Sequence, residues 1–390
     1  MKTIYTMPLP SGGDDTNAFL VAFNSTNPGA TIFIPAGTYK LKPDHKIFNF
    51  WARRWIGSSQ LPNPDISKTQ ATIITPTEKG NALAKMGGSE GSIEHITFDA
   101  RNKCDYAFHL IGHDHIVLGC EFRNANKAGL YMDGASSEVL FCKAKYNNIG
   151  IIARGANAGL LFCCRCVYNE CEGIVIIGKW YDRNTHAGAV RILGGTVASN
   201  GKSNKDYAQI LVNGAQGASV SYVYMEPYSE PLWGGGGKRK TIPCNMVRLI
   251  NNTNSCTFEG LHMIGSDTKE AFDIQSAVNC TFIGNRASNA NQVFKLSKKI
   301  INPYVHQYLG NVMGGDKPGM PWRIDFGGTM FDVENRGIYR DAPPPSGLGI
   351  WGKGSIVWNS KPKVNFPIGW VNIETNHNKP AQWKGFGLIV

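Results

Sequence analysis

Apolar residues along this chain come in short runs that return at a nearly constant interval. Cys120, Cys142 and Cys164 stand 22 residues apart, and the apolar residue two places before each (Leu118, Leu140, Phe162) keeps the same step. A second register follows as Cys256-Thr-Phe258-Glu-Gly260 and Cys280-Thr-Phe282-Ile-Gly284, a step of 24. A period in the low twenties predicts a solenoid in which each repeat is one coil stacked on the last. Each repeat offers two strands. The first covers residues 116–123, 140–146 and 162–168; the second is framed by Gly129 and Gly134, Gly150 and Gly155, and Gly173 and Gly178.

Side chains alternate across a strand, so Leu130, Met132, Ile151, Ala153, Ile174 and Ile176 are expected inside the coil. Tyr131, Asp133, Ile152, Arg154, Val175 and Ile177 then face out. Looser copies of the second strand lie at 208–214, 246–251, 272–276 and 294–297. Asparagine-rich corners such as Tyr146-Asn-Asn148 and Tyr168-Asn169 suit the left-handed backbone that a coil corner needs. The pattern predicts an all-β parallel β-helix. A leucine-rich horseshoe does not fit, because a 22-residue repeat leaves no room for its outer segment.

The expected organisation is an amino-terminal cap over residues 1–30, the parallel β-helix over 31–310, a linker or cap over 311–345, and a tryptophan-rich β module over 346–390. Insertions at 179–188, 201–206 and 227–243 interrupt the coils, and on a repeat protein such excursions build the binding face.

Composition changes this picture little. The 45 glycines among 390 residues suit many tight turns. No apolar stretch approaches membrane-spanning length, and the first ten residues lack an apolar core of signal-peptide length, so export by the usual route is not expected. Ten cysteines invite disulfides. Thiols stacked one coil apart behave instead as small buried hydrophobes, and synthesis in a reducing cytosol keeps them free. Zinc at Cys163, Cys164, Cys166 and Cys171 suits the alternation poorly, since Cys164 and Cys166 share one strand face and Cys163 takes the other. The net charge of +11 suits a polyanionic partner. Lys238-Arg-Lys240 is the one dense basic run and no nucleic-acid motif accompanies it, so an acidic polysaccharide is expected rather than nucleic acid.

Residues 11–41 carry Ser-Gly-Gly-Asp14-Asp15-Thr16, then Thr31-Ile-Phe-Ile-Pro35-Ala-Gly37-Thr-Tyr39. This resembles the amino-terminal signature of the pectate-lyase-like superfamily, which implies a right-handed parallel β-helix. Asp14 and Asp15 are expected to cap a helix running to about Asn24 that plugs the open end of the column. The carboxy-terminal Trp351-Gly-Lys-Gly-Ser-Ile-Val-Trp358, Gly369-Trp370-Val and Trp383-Lys-Gly-Phe386 look like the β module that closes phage and prophage tailspikes and related bacterial polysaccharide lyases. Its tryptophans are expected to pack the module rather than grip sugars. The resemblance implies a homotrimeric depolymerase of surface polysaccharide, made in the cytoplasm and placed on a virion tail or outside the cell without a signal peptide. The superfamily also holds hydrolases, epimerases and non-catalytic adhesins, so fold alone does not choose an activity.

The outward faces supply the candidate chemistry. Glu121, Lys143 and Arg165 should stack in one column and Arg123 and Lys145 in the next, a basic ladder matched to successive carboxylates of a uronate polymer. The alternative is surface charge balance, with Glu121 neutralising Lys143. Tyr222, Tyr224 and Glu226 are expected on one face. Cleavage by β-elimination needs a cation at the uronate carboxylate, a base at C5 and an acid at the leaving oxygen. Arg165, Arg183 or a bound cation such as Ca2+ could serve the first need; no cofactor is otherwise assigned. Lys143, His186, Tyr224 and Glu226 are the catalytic candidates, with Glu121, Arg123, Lys145, Arg165, Arg183 and Tyr222 binding substrate. Hydrolysis would require paired acids, Glu226 with Glu230, Asp182 or Glu259. A spike or adhesin that holds the glycan uncut is the non-enzymatic alternative. His113-Asp-His115 reads as corner polarity before metal. Finally, Ile152, Val175, Ile177 and Leu211 form an outward apolar stripe, expected to be covered between subunits or by the carboxy-terminal segment.

Overall fold

The computed structural model describes residues 2–44, 48–51, 53–58, 71–178, 188–203, 206–229, 241–296, 307–309, 312–314, 323–326, 329–332, 337–340, 356–359, 363–373 and 382–388. They form a parallel β-helix of about ten turns in which each coil has three faces. The first face runs through Ile116–Leu118, Glu138–Leu140, Leu160–Phe162, Arg191–Leu193 and Ser219–Ser221. The second runs through Glu121–Arg123, Lys143–Lys145, Arg165–Val167, Thr196–Asn200 and Tyr224–Ser229. The third runs through Ala128–Ala135, Ile149–Arg154, Ile174–Ile177, Ala208–Asn213 and Asn245–Ile250. Strands of neighbouring coils pair in parallel on every face.

The expected first strand of each repeat is therefore two strands. A left-handed residue breaks it: Gly119 (φ 61°), Phe141 (φ 55°) and Cys163 (φ 50°) turn the chain from the first face to the second. Cys120, Cys142 and Cys164 follow the break and point into the column, buried to within 3 %. Cys256 and Cys280 stack at a different corner, the one that opens the first face, after left-handed Ser255 and Asn279. The two cysteine registers are thus two edges of one prism. None of the ten cysteines is disulfide-bonded.

The corner that closes the second face also departs from expectation. Its left-handed residues are Asn124, Tyr146, Tyr168 and Ser199, while Asn147, Asn169 and Asn200 turn inward. A left-handed backbone costs a bulky L-residue about 1–2 kcal/mol. The inward asparagines form a buried ladder. Asn169 Nδ2 donates to Ala144 O (3.2 Å) and Asn200 Oδ1 (2.7 Å), and Asn169 Oδ1 accepts from Asn147 N (3.0 Å). Gly150 lies against this ladder, where a Cβ would come within 2.9 Å of the Asn169 amide nitrogen and 2.3 Å of Gly173 O.

On the third face the alternation holds, with Leu130, Met132, Ile151, Ala153, Ile174 and Ile176 fully buried. The outward stripe is also largely shielded within one chain. Tyr131, Ile152 and Val175 are 8 %, 9 % and 3 % exposed and form a second apolar cluster with Tyr106, Ile149, Ile177 and Leu211. This stripe does not by itself require a partner subunit.

The helix Thr16–Asn24 closes the amino-terminal end, with Phe19 buried against Trp55 (5.8 Å, 9°) and Tyr39 (5.7 Å). The two aspartates divide the capping role. Asp14 Oδ1 accepts from Thr16 N, whereas Asp15 makes no side-chain cap and instead accepts from Ser11 N and Lys40 N, tying the helix start to the strand Gly37–Leu41. Near the carboxy terminus, Ile356–Asn359, Pro367–Asn372 and Trp383–Leu388 pair antiparallel, with Trp370 buried and Trp358 edge-on to Phe386. Trp351 lies outside the described residues.

Candidate functional site

Parallel register on the second face builds one outward column: Thr97, Glu121, Lys143, Arg165, Thr196, Tyr224, His262 and Arg286 are successive Cα partners. Asp99, Arg123, Lys145 and Val167 form the column beside it, and Ala198 and Glu226 continue it. The columns expected at Glu121–Lys143–Arg165 and Arg123–Lys145 are present, because the alternation resumes in register after each corner.

Charge is not distributed as the simple balance supposes. Glu121 Oε1 pairs with Arg123 (3.2 Å) and Lys145 (3.1 Å), and Arg123 also reaches Asp99 (3.1 Å). Lys143 is left exposed. Among the described residues neither Lys143 nor Arg165 has an ion-pair partner. Two cations thus stand free on the floor of the face, able to meet anionic groups at low desolvation cost.

Three steps further along the column lies a polar cluster. Tyr224 OH donates to Glu226 Oε2 (3.1 Å), and the His262 ring stands edge-on to Tyr224 at 5.9 Å. Arg286 is the next member of the column. At about 4.8 Å per coil, Lys143 is roughly 14 Å from Tyr224, too far for both to act on one glycosidic bond. The cluster therefore separates the expected catalytic set: Tyr224 and Glu226 are together, Lys143 is apart, and His186, like Arg183, lies outside the described residues. His262 was missed because the 227–243 insertion precedes it, and Arg286 because it lies one ordinary coil step beyond His262. The only sequence signal was the spacing from the inward Phe258 and Phe282, which places both one corner later.

Tyr222 does not share the Tyr224 face. Its left-handed backbone (φ 57°) puts it on the corner, where its hydroxyl donates to Glu259 Oε1 at 3.1 Å and that carboxylate pushes the phenol pKa up. Glu259 belongs to the first face, in register with Ser221. Of the acid pairs considered for hydrolysis, Glu226 and Glu259 are not brought together, since Glu259 sits around the corner on the first face; Asp182 and Glu230 lie outside the described residues. His115 is buried in its corner, with ring nitrogens bonded to Gly91 N and Ile111 O, while His113 pairs with Asp114 at 2.7 Å. Cys164 and Cys166 point into the core and Cys171 bonds Asn148 Oδ1. Among the described residues no group of three or more His, Cys, Asp or Glu is arranged to hold a metal.

The chain matches no family model and no curated protein. Among solved structures it is similar to the A-module of mannuronan C-5 epimerase AlgE4 from Azotobacter vinelandii, at 11 % identity over 83 % of this chain and 100 % of that one, with a TM-score of 0.52. It is also similar to pectate lyase Pel9A, at 14 % identity over 83 % of this chain and 78 % of that one (TM-score 0.48). A third likeness is to the enzymatically active domain of bacteriophage CBA120 tailspike protein 2, at 11 % identity over 80 % of this chain and 45 % of that one (TM-score 0.47). At such identities the likeness speaks for architecture alone. Three-faced parallel coils, an amino-terminal helical plug and the alignment with the epimerase module together show the fold, a parallel β-helix of the kind that module has.

Proposed function

We propose that this protein binds an acidic, uronate-containing polysaccharide along its second face and cleaves it by β-elimination at Tyr224. The observation that carries the reading is one column holding two unpaired cations, Lys143 and Arg165, in line with the Tyr224, Glu226 and His262 cluster. Arg286, one coil beyond His262, neutralises the carboxylate of the reacting uronate, while Arg165, two coils before Tyr224, holds the carboxylate of a neighbouring sugar residue. His262 takes the C5 proton as the C4–C5 double bond forms and the C4–O4 bond breaks. Tyr224, oriented by Glu226, gives its proton to the leaving oxygen and recovers one from His262. The carboxy-terminal resemblance extends the proposal to a homotrimer on a virion tail.

The test is digestion of a polyuronate panel with ultraviolet detection of the unsaturated product. Activity is expected in the wild type, with Tyr224→Phe and His262→Gln each reducing kcat by about 100-fold or more at similar KM. New reducing ends without unsaturation would mean hydrolysis, an inverted C5 without cleavage would mean epimerisation, and binding alone would mean an adhesin. Each outcome overturns the elimination reading.

A further inference from the structure

Four large aromatic residues occupy left-handed positions on the two corners that bound the second face. Phe141 (φ 55°) and Tyr222 (φ 57°) stand where it begins; Tyr146 and Tyr168 (both φ 59°) stand where it ends. At the opening corner four other coils place Gly119, Gly194, Gly260 and Gly284, which accept this backbone most easily, and two place His95 and Cys163; the closing corner elsewhere holds Asn124 and Ser199. Core packing does not explain the exception, since Phe141, Tyr146 and Tyr222 are 54 %, 53 % and 59 % exposed. The chain spends backbone strain to hold aromatic rings outward on both sides of a basic floor.

We propose that Tyr146 and Tyr168, with Phe141 on the opposite rim, are the sugar-binding rails of the polysaccharide trough. The rings meet the apolar faces of successive sugar residues while Lys143 and Arg165 between them meet the carboxylates. This rests on the polysaccharide reading and adds the residues that grip the polymer away from the reacting bond. Charge complementarity selects an anionic occupant, and Lys145 Nζ, 5.7 Å from the Tyr146 ring centroid, adds positive charge at the rim. The Tyr146 and Tyr168 rings are near-parallel (13°) with centroids 5.8 Å apart, the range of direct ring contact, which leaves no space for a nucleobase between them. A glycan rather than a single-stranded nucleic acid is the occupant that the polysaccharide reading selects.

Tyr146→Asn with Tyr168→Asn places at these corners the residue already present at Asn124. The double variant is expected to melt a few degrees above the wild type, because the strain is relieved. It should bind polygalacturonate or alginate, whichever the wild type binds, about tenfold or more weakly, with KM raised and kcat at saturation unchanged. Tyr146→Phe with Tyr168→Phe, which keeps the rings, should stay within about threefold of wild type. Unchanged affinity in the Asn variant overturns the rails, as does equal loss in the Phe variant. Tighter binding to poly(dT) than to either polyuronate, weakened by the Asn variant, assigns the rings to nucleic acid and overturns the proposal. A wild type that binds neither polyuronate defeats the polysaccharide reading itself, a result distinct from wild-type binding that survives loss of the rings.

Discussion

Tyr222 and Tyr224 are two residues apart, which on an unbroken strand would place both phenols on one face. The left-handed turn at Tyr222 intervenes, so one hydroxyl reaches Glu259 on the first face and the other Glu226 on the second. Such a turn at a tyrosine leaves no mark in the sequence, where Gly or Asn would have announced it. His109 shows the same gap between identity and environment. It lies between Tyr106 (5.8 Å) and Tyr131 (4.8 Å), both ring nitrogens are buried without hydrogen bonds, and burial, helped by Lys85, pushes its pKa down to about 4. Above pH 6.5 the ring is neutral in folded and unfolded chain alike. Between pH 6.5 and about 4 only the unfolded chain takes up the proton, so stability falls as pH drops and levels off below. The expected loss is about 2 kcal/mol after allowance for partial solvent screening. Denaturant titrations across that range should show the decline, and His109→Phe should flatten it.

At the scale of the element, the corner is the unit that matters. Each corner couples a left-handed residue to an inward residue that stacks on its counterpart one coil away, as Cys120, Cys142 and Cys164 do at one edge and Asn147, Asn169 and Asn200 at another. The sequence period exposed the cysteine edge plainly. It did not separate the two strands that meet there, because each is only three residues long and the turn residue between them, Phe141 or Cys163, is itself apolar. The asparagine edge was visible but its roles were exchanged: the tyrosine makes the turn and the asparagine makes the ladder. Asn169→Ala should therefore cost about 3 kcal/mol, since it strands buried partners at Ala144 O, Asn147 and Asn200, whereas a solvated corner asparagine would cost a few tenths. Chemical denaturation of the two proteins decides between these values.

For the whole molecule, stacking converts local register into long-range geometry. Lys143 and Tyr224 are 81 positions apart in sequence yet stand in one column, three coils distant. A polyanion laid along that column would release counterions from Lys143 and Arg165, so binding should weaken with salt. Lys143→Ala with Arg165→Ala should reduce the slope of log K against log salt by about two. A slope equal to that of the wild type would remove the ladder from the binding surface. The proposed homotrimer predicts a light-scattering mass of three 42.6 kDa chains; a monomer at working concentration overturns it.

The sequence by itself determined the solenoid, its coil length, the inside and outside of the third face, and the charged columns before the insertions, because period and alternation are local consequences of strand geometry. Only the tertiary structure decided that each coil has three faces, that Tyr222 leaves the face of Tyr224 and that His262 and Arg286 stand in the Tyr224 column. It also decided that the stripe at Ile152 and Val175 is shielded within one chain. These outcomes depend on where corners fall and on what lies above a surface. Both are set by contacts between coils rather than by neighbours along the chain.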